Sequence, residues 1–170
     1  PPAARPRRPG GGTAAGGIAC TAVDKWNRDL YWRSMSEFAS PRAVFQRLID
    51  GVTARRPETL PRLYAEDAVV VHPFARPATR LEGRDAVREH FARLETLPLE
   101  MTARNIVVHH TADPEVIIAE FEYAGRNTET GREFVVPSVF VLRVRDGRIV
   151  ESREYHDHSL VAHAMGEQRG

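Results

Sequence analysis

The segment Tyr64-Ala65-Glu66-Asp67-Ala68, the apolar run Val69 to Val71 that continues it, and the tripeptide His72-Pro73-Phe74 that ends it decide the fold of this chain. Three consecutive valines are typical of a buried β-strand, and the proline after them marks the end of that strand. The predicted strand therefore ends on His72, whose side chain titrates closer to neutral pH than that of any other residue type. We expect a proton-accepting group at the edge of an apolar interior.

The composition and charge of the chain exclude several classes of protein. Of its 170 residues, 42% are hydrophobic and 28% are charged, which is typical of one globular domain. Beyond residue 34 the sequence contains 18 basic and 21 acidic residues, a net charge of −3. A nucleic-acid partner is not expected for a domain of that sign, and no apolar run approaches the ~20 residues that a membrane span requires.

Residues 1–34 differ from the remainder in composition. Pro and Gly occupy nine of the first 17 positions, which is typical of a segment that forms no packed core. We expect these residues to be a disordered or non-native extension, followed by one domain that covers residues 35–170 and begins at Met35. Since the only cysteine, Cys20, lies in the extension, the domain has neither a disulfide nor a catalytic thiol, and we expect a cytoplasmic location.

Three helical segments are predicted in the first half of the domain. Ser40 has the side chain of an N-cap and Pro41 follows it at the first helical position, so the first helix starts here and ends near Pro57. Its apolar residues recur at helical spacing: Val44, Phe45, Leu48, Ile49 and Val52. A second, short helix is predicted over Glu58–Tyr64, and a third from Gly83 to Pro98.

Four extended segments follow, at Met101–His110, Glu115–Tyr123, Arg132–Val144 and Arg148–His158. Turn signals separate them, among them the hairpin dipeptide Asp146-Gly147. The sequence therefore predicts an α+β fold, in which three N-terminal helices pack on a curved, mainly antiparallel sheet.

The third of these segments is apolar on both of its faces. One face carries Phe134, Val136, Ser138, Phe140, Leu142 and Val144, and the other carries Val135, Pro137, Val139 and Val141. An exposed apolar face of this size is usually an interface, so we expect a homodimer through the outer face of the sheet. A proline inside a strand is typical of a bulge, and Pro137 is predicted to bend the sheet and open a pocket.

The last extended segment carries ionisable residues on both faces. Alternation places Ser152, Glu154 and His156 on one face together with Val150 and His158. Since neither face is purely apolar, alternation alone does not decide which of them lines the pocket.

Several motifs together resemble a known family. The stretch from Tyr64 to Arg93 combines the Tyr-Ala-Glu-Asp-Ala opening, the His-Pro-Phe turn and a helix start at Glu82-Gly83-Arg84-Asp85-Ala86. In this order and spacing it resembles the nuclear transport factor 2-like superfamily, which includes ketosteroid isomerases, SnoaL-like polyketide cyclases and phenazine-biosynthesis A/B proteins. The resemblance covers Phe38 to about Gly166, and it implies a cone-shaped α+β barrel that is commonly a homodimer.

Motifs later in the chain, such as Asp146-Gly147-Arg148-Ile149 and Arg153-Glu154-Tyr155, are most similar to the SnoaL-like and phenazine-type branch. The resemblance implies that the general base of the steroid isomerases falls on His72. Their two oxyanion donors fall on Leu48 and Phe140, which donate no hydrogen bond from their side chains. Steroid isomerisation of that kind is therefore not expected, because such donors usually contribute a large part of the rate.

The phenazine-type proteins imply further site residues. Their acid in the last strand falls on Glu154 and their third-helix histidine on His90, while a serine one turn later in that helix becomes Leu94. His156 occupies a position that lines the pocket in the isomerases. The candidate catalytic residues are therefore His72, Glu154, His156 and His90, and the candidate substrate-binding residues are Tyr64, Phe74, Phe91, Leu94, Ser138 and Phe140.

We hypothesise that His72 takes a proton from the substrate and that Glu154 on the opposing wall, with His156 or His90, returns one. This hypothesis predicts a cofactor-independent enzyme of the isomerase, cyclase, condensation or dehydratase type that acts on a small hydrophobic metabolite, cyclic or polyketide-like. The alternative is a non-catalytic small-molecule-binding or dimerisation domain of the same fold.

Each candidate also has a purely structural explanation. His72 is then a strand-end histidine bonded to a backbone carbonyl, His90 is a half-buried histidine, and Glu154 is a surface acid paired with an arginine. Glu120 is expected to pair with an arginine as well. The run His156-Asp157-His158 could suggest a metal site, but neighbours in a strand point to opposite faces. Such a site would need His72 as well, and no metal is expected.

Overall fold

The structure is a computed structural model that describes residues 39–166. The expectations for residues 1–34 lie outside this range. The helices are α1 (Pro41–Thr53), α2 (Gly83–Glu95) and α3 (His158–Ala164), with a 3₁₀-helix at Leu60–Leu63. The strands are β1 (Tyr64–His72), β2 (Thr79–Glu82), β3 (Leu99–His110), β4 (Val116–Asn127), β5 (Glu133–Arg145) and β6 (Arg148–His156). The predicted α+β class is confirmed.

The strands form one sheet in the order β2-β1-β6-β5-β4-β3. Each neighbouring pair is antiparallel except β1 and β6, which run parallel, so the mainly antiparallel prediction is confirmed. The sheet is curved, but β2 and β3 remain at its two edges and do not pair with each other. The predicted barrel is therefore corrected to an open sheet.

Helix α1 begins as its sequence predicts. The Ser40 side-chain oxygen accepts a hydrogen bond from the Ala43 backbone N–H at 3.3 Å, and Pro41 occupies the first turn. The apolar face of α1 is buried in the core, where the ring of Phe45 meets that of Phe121 on β4 edge to face at 5.6 Å. This packing covers the inner face of the sheet.

The prediction of three N-terminal helices is not confirmed. The segment Glu58–Tyr64 forms only a short 3₁₀-helix at Leu60–Leu63, because β1 already begins at Tyr64. The third α-helix follows the last strand instead. It starts where the Asp157 side chain accepts a hydrogen bond from the Ser159 backbone N–H at 2.9 Å, so β6 ends at His156 and not at position 158.

Strand β5 has the two faces that its sequence predicts, but its proline does not form a bulge. The face from Phe134 to Val144 is buried, whereas Val135 on the other face is 41% exposed. Pro137 pairs with Glu122 of β4 in unbroken register. It also lies just before Ser138, the first residue of β5 paired with β6, so it sits where that edge of β5 is still free.

A register shift in β6 decides which of its faces is buried. Val144 of β5 lies opposite Ile149, whereas Arg143 lies opposite Glu151, so Val150 is an extra residue in a bulge. Ile149 and Ser152 are both fully buried as a consequence, although strict alternation would place them on opposite faces. The bulge explains why the sequence pattern of this strand favoured neither face.

None of the helices within residues 39–166 combines the length and the apolar character needed to cross a bilayer. The cytoplasmic location stays a prediction.

Candidate active site

The central pair of the site is His72 at the end of β1 and Glu154 on β6. The two strands run parallel with Val70 opposite Ser152 and Val71 opposite Arg153, so the next position places His72 beside Glu154 on the buried face. Nε2 of His72 lies 3.4 Å from Oε2 of Glu154, and the two residues are 2% and 8% exposed. They therefore form one adjacent pair, and not two groups on opposing walls as predicted.

Glu154 is held by a second buried residue. The Ser152 hydroxyl donates a hydrogen bond to Oε1 of Glu154 at 2.8 Å, and Ser152 is fully buried. Burial by itself would raise the pKa of Glu154, but the His72 ring, the Ser152 hydroxyl and the nearby His156 together hold that pKa below its ordinary value. The carboxylate is accordingly ionised at neutral pH, with both of its oxygens partnered.

Three further histidines surround the ring of His72. His90 of α2 stacks on it with ring centroids 5.1 Å apart and an interplanar angle of 27°. His156 and His158 approach it edge-on, at 5.9 and 5.4 Å, and their own ring centroids are 4.1 Å apart. Elements from both halves of the domain, α2, β1, β6 and the start of α3, thus converge on one point.

These three surrounding histidines are neutral at physiological pH. Burial, more than neighbouring charge, lowers the pKa of His90 to about 4 and that of His156 to about 4. Burial likewise lowers the pKa of His158. Geometry agrees, because His156 Nδ1 and His158 Nε2 are buried and lack a hydrogen-bond partner in the described part of the chain. A protonated ring would place an unsatisfied N–H at each of these atoms.

A cavity of about 430 Å³ opens above this cluster. Its polar end is lined by His72, His90, Glu154, His156 and His158. The remaining wall consists of Leu48, Val52, Phe91, Arg93, Leu94, Leu97, Leu99, Met101, Tyr123, Phe134, Val136, Phe140, Val161, Ala162 and Met165. A mostly apolar chamber of this size with a few convergent polar groups is typical of a small-molecule site.

The cavity unites most of the site residues predicted from the sequence. All four candidate catalytic residues line it, and so do three of the candidate substrate-binding residues, Phe91, Leu94 and Phe140. The other three do not, and their placement corrects the prediction.

Phe74 lies outside the cavity, because the chain turns after His72 and leaves the Phe74 ring 61% exposed against Tyr155. Ser138 is buried with its hydroxyl donating to the Val136 carbonyl at 3.2 Å. Tyr64 is buried in the core against Phe91, and burial together with the charge of Glu154 raises its pKa well above the ordinary value.

Two residues of the cluster were not predicted as site residues, Ser152 and His158. Ser152 carried a usable signal, since it lies two residues before Glu154 in a strand and therefore shares its face. His158 carried no such signal. It is the first residue of α3, which begins after the N-cap Asp157, whereas the sequence pattern predicted that the last strand continues to position 158.

The sequence also suggested an arginine partner for Glu120 and a possible metal site. Glu120 pairs with His109 on the exposed side of the sheet, at 2.8 Å from Nε2 to Oε1, and not with an arginine. Within residues 39–166, no three His, Cys, Asp or Glu side chains are arranged so that they could hold a metal ion.

Comparison with known proteins agrees with the fold. The model of the SnoaL-like domain matches residues 45–152. The chain belongs to this family. The resemblance to SnoaL-like proteins predicted from the sequence is therefore confirmed. The matched range contains His72, His90 and Ser152 and ends before Glu154.

Individual relatives support the assignment to the SnoaL-like family. An uncharacterised PhzA/B-like protein of Pseudomonas aeruginosa is 32% identical over 108 residues, 61% of this chain and 74% of the relative. The crystal structure of a candidate isomerase from Bacillus subtilis is similar with a TM-score of 0.67 and 26% identity, covering 74% of this chain and 91% of the other. A phenazine biosynthesis-related protein of P. aeruginosa shares the fold alone, with a TM-score of 0.61 at 18% identity, over 82% and 94% of the two chains.

Proposed function

We propose that this domain is a cofactor-independent acid–base enzyme that moves a proton on a small hydrophobic compound, cyclic or polyketide-like. The reaction is of the isomerase, cyclase, condensation or dehydratase type. The observation that carries the proposal is the adjacent pair of His72 and Glu154 at the polar end of an apolar cavity. The similarity to an isomerase candidate at 26% identity supports the same class of reaction.

The geometry of the pair suggests how a proton is moved. Nε2 of His72 faces Oε2 of Glu154 at 3.4 Å, so Nδ1 is the ring nitrogen that the proposal assigns to the substrate. In the proposed step Nδ1 accepts a proton from a substrate carbon next to a carbonyl, and the ionised Glu154 stabilises the imidazolium that forms. The same proton then returns to a different atom of the substrate, so that the enzyme is regenerated without a co-reactant.

The neutral neighbours favour this step. A cationic ring stacked on His72 at 5.1 Å would oppose protonation of His72, but His90 has a pKa of about 4 and carries no charge at neutral pH. Positioned proton transfer of this kind typically contributes roughly 10² to 10⁴ in rate.

Isotope exchange tests the proposal without knowledge of the natural substrate. The protein is incubated in D₂O with enolisable cyclic 1,3-diketones and aryl ketones, and loss of the proton beside the carbonyl is followed by NMR. His72→Gln and Glu154→Gln are compared with His109→Gln and Glu120→Gln, since the second pair is also a His–Glu ion pair but lies exposed on the sheet.

The expected result is exchange that both cavity variants slow and both control variants leave unchanged. Exchange that is equally fast in wild type and in the folded cavity variants, or that is absent for every compound that binds, would refute the enzymatic proposal.

One observation favours the second candidate function, a non-catalytic binding domain. Leu48 and Phe140, the positions where the resemblance to steroid isomerases implies oxyanion donors, both line the cavity with apolar side chains. An enolate formed there would lack two strong donors. Tight binding of ring compounds without any exchange would support this alternative.

We further propose that the domain forms a homodimer through the outer face of the sheet. On this face Val135 is 41% exposed and Val107 is 50% exposed, and Val139 and Val141 are partly exposed. Burying these side chains against a second copy would remove apolar surface from water.

A further inference from the structure

Arg93 stands apart from the other charged residues of α2. It lines the cavity and is also exposed to solvent, which places this residue at the opening. No carboxylate among residues 39–166 forms an ion pair with it, whereas Arg88 on the same helix pairs with Asp85. A cation at the mouth of an apolar chamber, without an acidic partner in the described fold, is available to a ligand.

The charges of the cavity lining make this cation distinctive. Apart from the imidazoles, Arg93 and Glu154 are the only ionisable side chains of the lining that carry a charge at neutral pH. The surrounding histidines are neutral for the reasons given above. The positive charge of Arg93 also reaches the interior, because it contributes to lowering the pKa of His90 after the larger effect of burial.

We propose that Arg93 binds a carboxylate of the substrate, and that the substrate is therefore an acid with an apolar ring system. This inference rests on the proposed function, for which it names the substrate class. A guanidinium presents two parallel N–H donors that match the two oxygens of a carboxylate.

The position of Arg93 on α2 gives the ligand an orientation. His90 and Arg93 are three residues apart on the helix, so they share one face and their backbones are separated by about 4.5 Å along the axis. A carboxylate held by Arg93 at the opening leaves the ring of the ligand in the apolar chamber, with its far end towards His72 and Glu154. The reverse orientation would bring the carboxylate against the ionised Glu154 and is disfavoured by charge repulsion.

Matched pairs of ligands test this inference. Benzoic acid, 2-naphthoic acid and 9-anthracenecarboxylic acid are each compared with their primary amides, which have nearly the same shape but no charge. Binding is measured by calorimetry at constant ionic strength for wild type, Arg93→Gln, Arg93→Lys and Arg88→Gln. Arg88→Gln is the control, because it removes the same charge from the same helix outside the cavity.

We expect wild type to bind at least one acid about tenfold more tightly than its amide, as for a charge-assisted hydrogen bond. Arg93→Gln should abolish this preference while leaving affinity for the amide unchanged, and Arg93→Lys should retain part of it. Arg88→Gln should retain all of it.

Three results would overturn the inference: no acid of the series preferred over its amide by wild type, equal loss of acid and amide affinity in Arg93→Gln, or the same loss in Arg88→Gln. Failure of the proposed function is distinguishable, since the acid preference is a binding measurement that does not depend on proton transfer. Acid preference without isotope exchange would leave Arg93 as the anchor of a binding domain.

Discussion

Mild acid is predicted to destabilise this domain through its buried histidines. Burial lowers the pKa of His90 and of His156 to about 4 in the folded state, from an ordinary value of 6.5. As the pH falls below 6.5 the unfolded chain therefore takes up a proton at each position, while the folded domain does not until the pH approaches 4. Since the unfolded state binds more protons in this window, the free energy of unfolding falls as the pH falls.

The magnitude follows from the two pKa values. A pH of 5 is about 1.5 units below the pKa of the imidazole in the unfolded chain, and each unit corresponds to about 1.4 kcal/mol. Each histidine thus lowers the free energy of unfolding by about 2 kcal/mol between pH 7 and pH 5, and the pair lowers it by about 4 kcal/mol. Domains of this size are typically stable by only about 5–15 kcal/mol, so the loss should be conspicuous.

His158 and Glu154, two other groups of the cluster, do not reverse this sign. The pKa of His158 is also lowered by burial, so it acts in the same direction. The pKa of Glu154 is below its ordinary value of 4.5, so the stability that Glu154 contributes is present above that pH and is lost only in more acidic solution. The window between pH 7 and pH 5 therefore lies above the range in which the stabilisation by Glu154 is lost.

Urea unfolding followed by circular dichroism measures the effect at pH 7 and at pH 5. Wild type should lose about 4 kcal/mol, and His90→Gln and His156→Gln should each lose about 2 kcal/mol between the two pH values. His109→Gln, which removes an exposed histidine, should behave like wild type. An equal pH dependence in all four proteins, or none in wild type, would refute the assignment of neutral buried histidines.

Two further predictions concern side chains that support the site, and a third concerns the proposed dimer. Ser152→Ala removes the hydroxyl that donates to Glu154 at 2.8 Å, and should lower the free energy of unfolding by about 1.5–3 kcal/mol at pH 7 and by less in acid, where Glu154 is protonated; an unchanged urea midpoint would contradict this. Asn127→Ala removes the side chain that donates to the Ala164 carbonyl at 3.2 Å, and should cost about 1–3 kcal/mol and speed proteolysis within α3; cleavage at the wild-type rate would contradict it. Val139→Asp should halve the mass that light scattering reports for wild type, and a monomeric wild type would contradict the proposed dimer.

Much of the fold could be predicted from the sequence, because caps, turns and strand faces depend on residues that are close in the chain. The N-cap at Ser40 and the hairpin at Asp146-Gly147 were predicted from residue type, and the structure contains both, with positive φ angles of 50° at Asp146 and 71° at Gly147. The alternation in β5 also predicted its buried face.

The errors in the predicted fold arise where strand pairing, a bulge or a helix cap overrides the pattern of neighbouring residues. Strand β2 is only four residues long and has a single buried side chain, Leu81, so its pairing with β1 supplies the order that its sequence does not signal. In β6 the bulge at Val150 interrupts the alternation, and the N-cap at Asp157 competes with continued strand. Which strands become neighbours is decided by the whole sheet.

The site, like the fold, was predictable from local sequence only in part. His72 and Glu154 could be chosen from residue type and resemblance, but their separation depends on the parallel pairing of β1 with β6, two strands far apart in the chain. His158 lies close to His72 because α3 begins at this residue. The cluster of four imidazoles around one carboxylate therefore emerges only from the tertiary structure.

The central claim, that the His72 imidazole carries the proton, is tested most directly by chemical rescue of His72→Gly. The account predicts that this variant exchanges the proton of a bound ketone in D₂O roughly 10² to 10⁴ more slowly than wild type, and that added imidazole restores the rate with saturation. Exchange at the wild-type rate in folded His72→Gly without imidazole would contradict it.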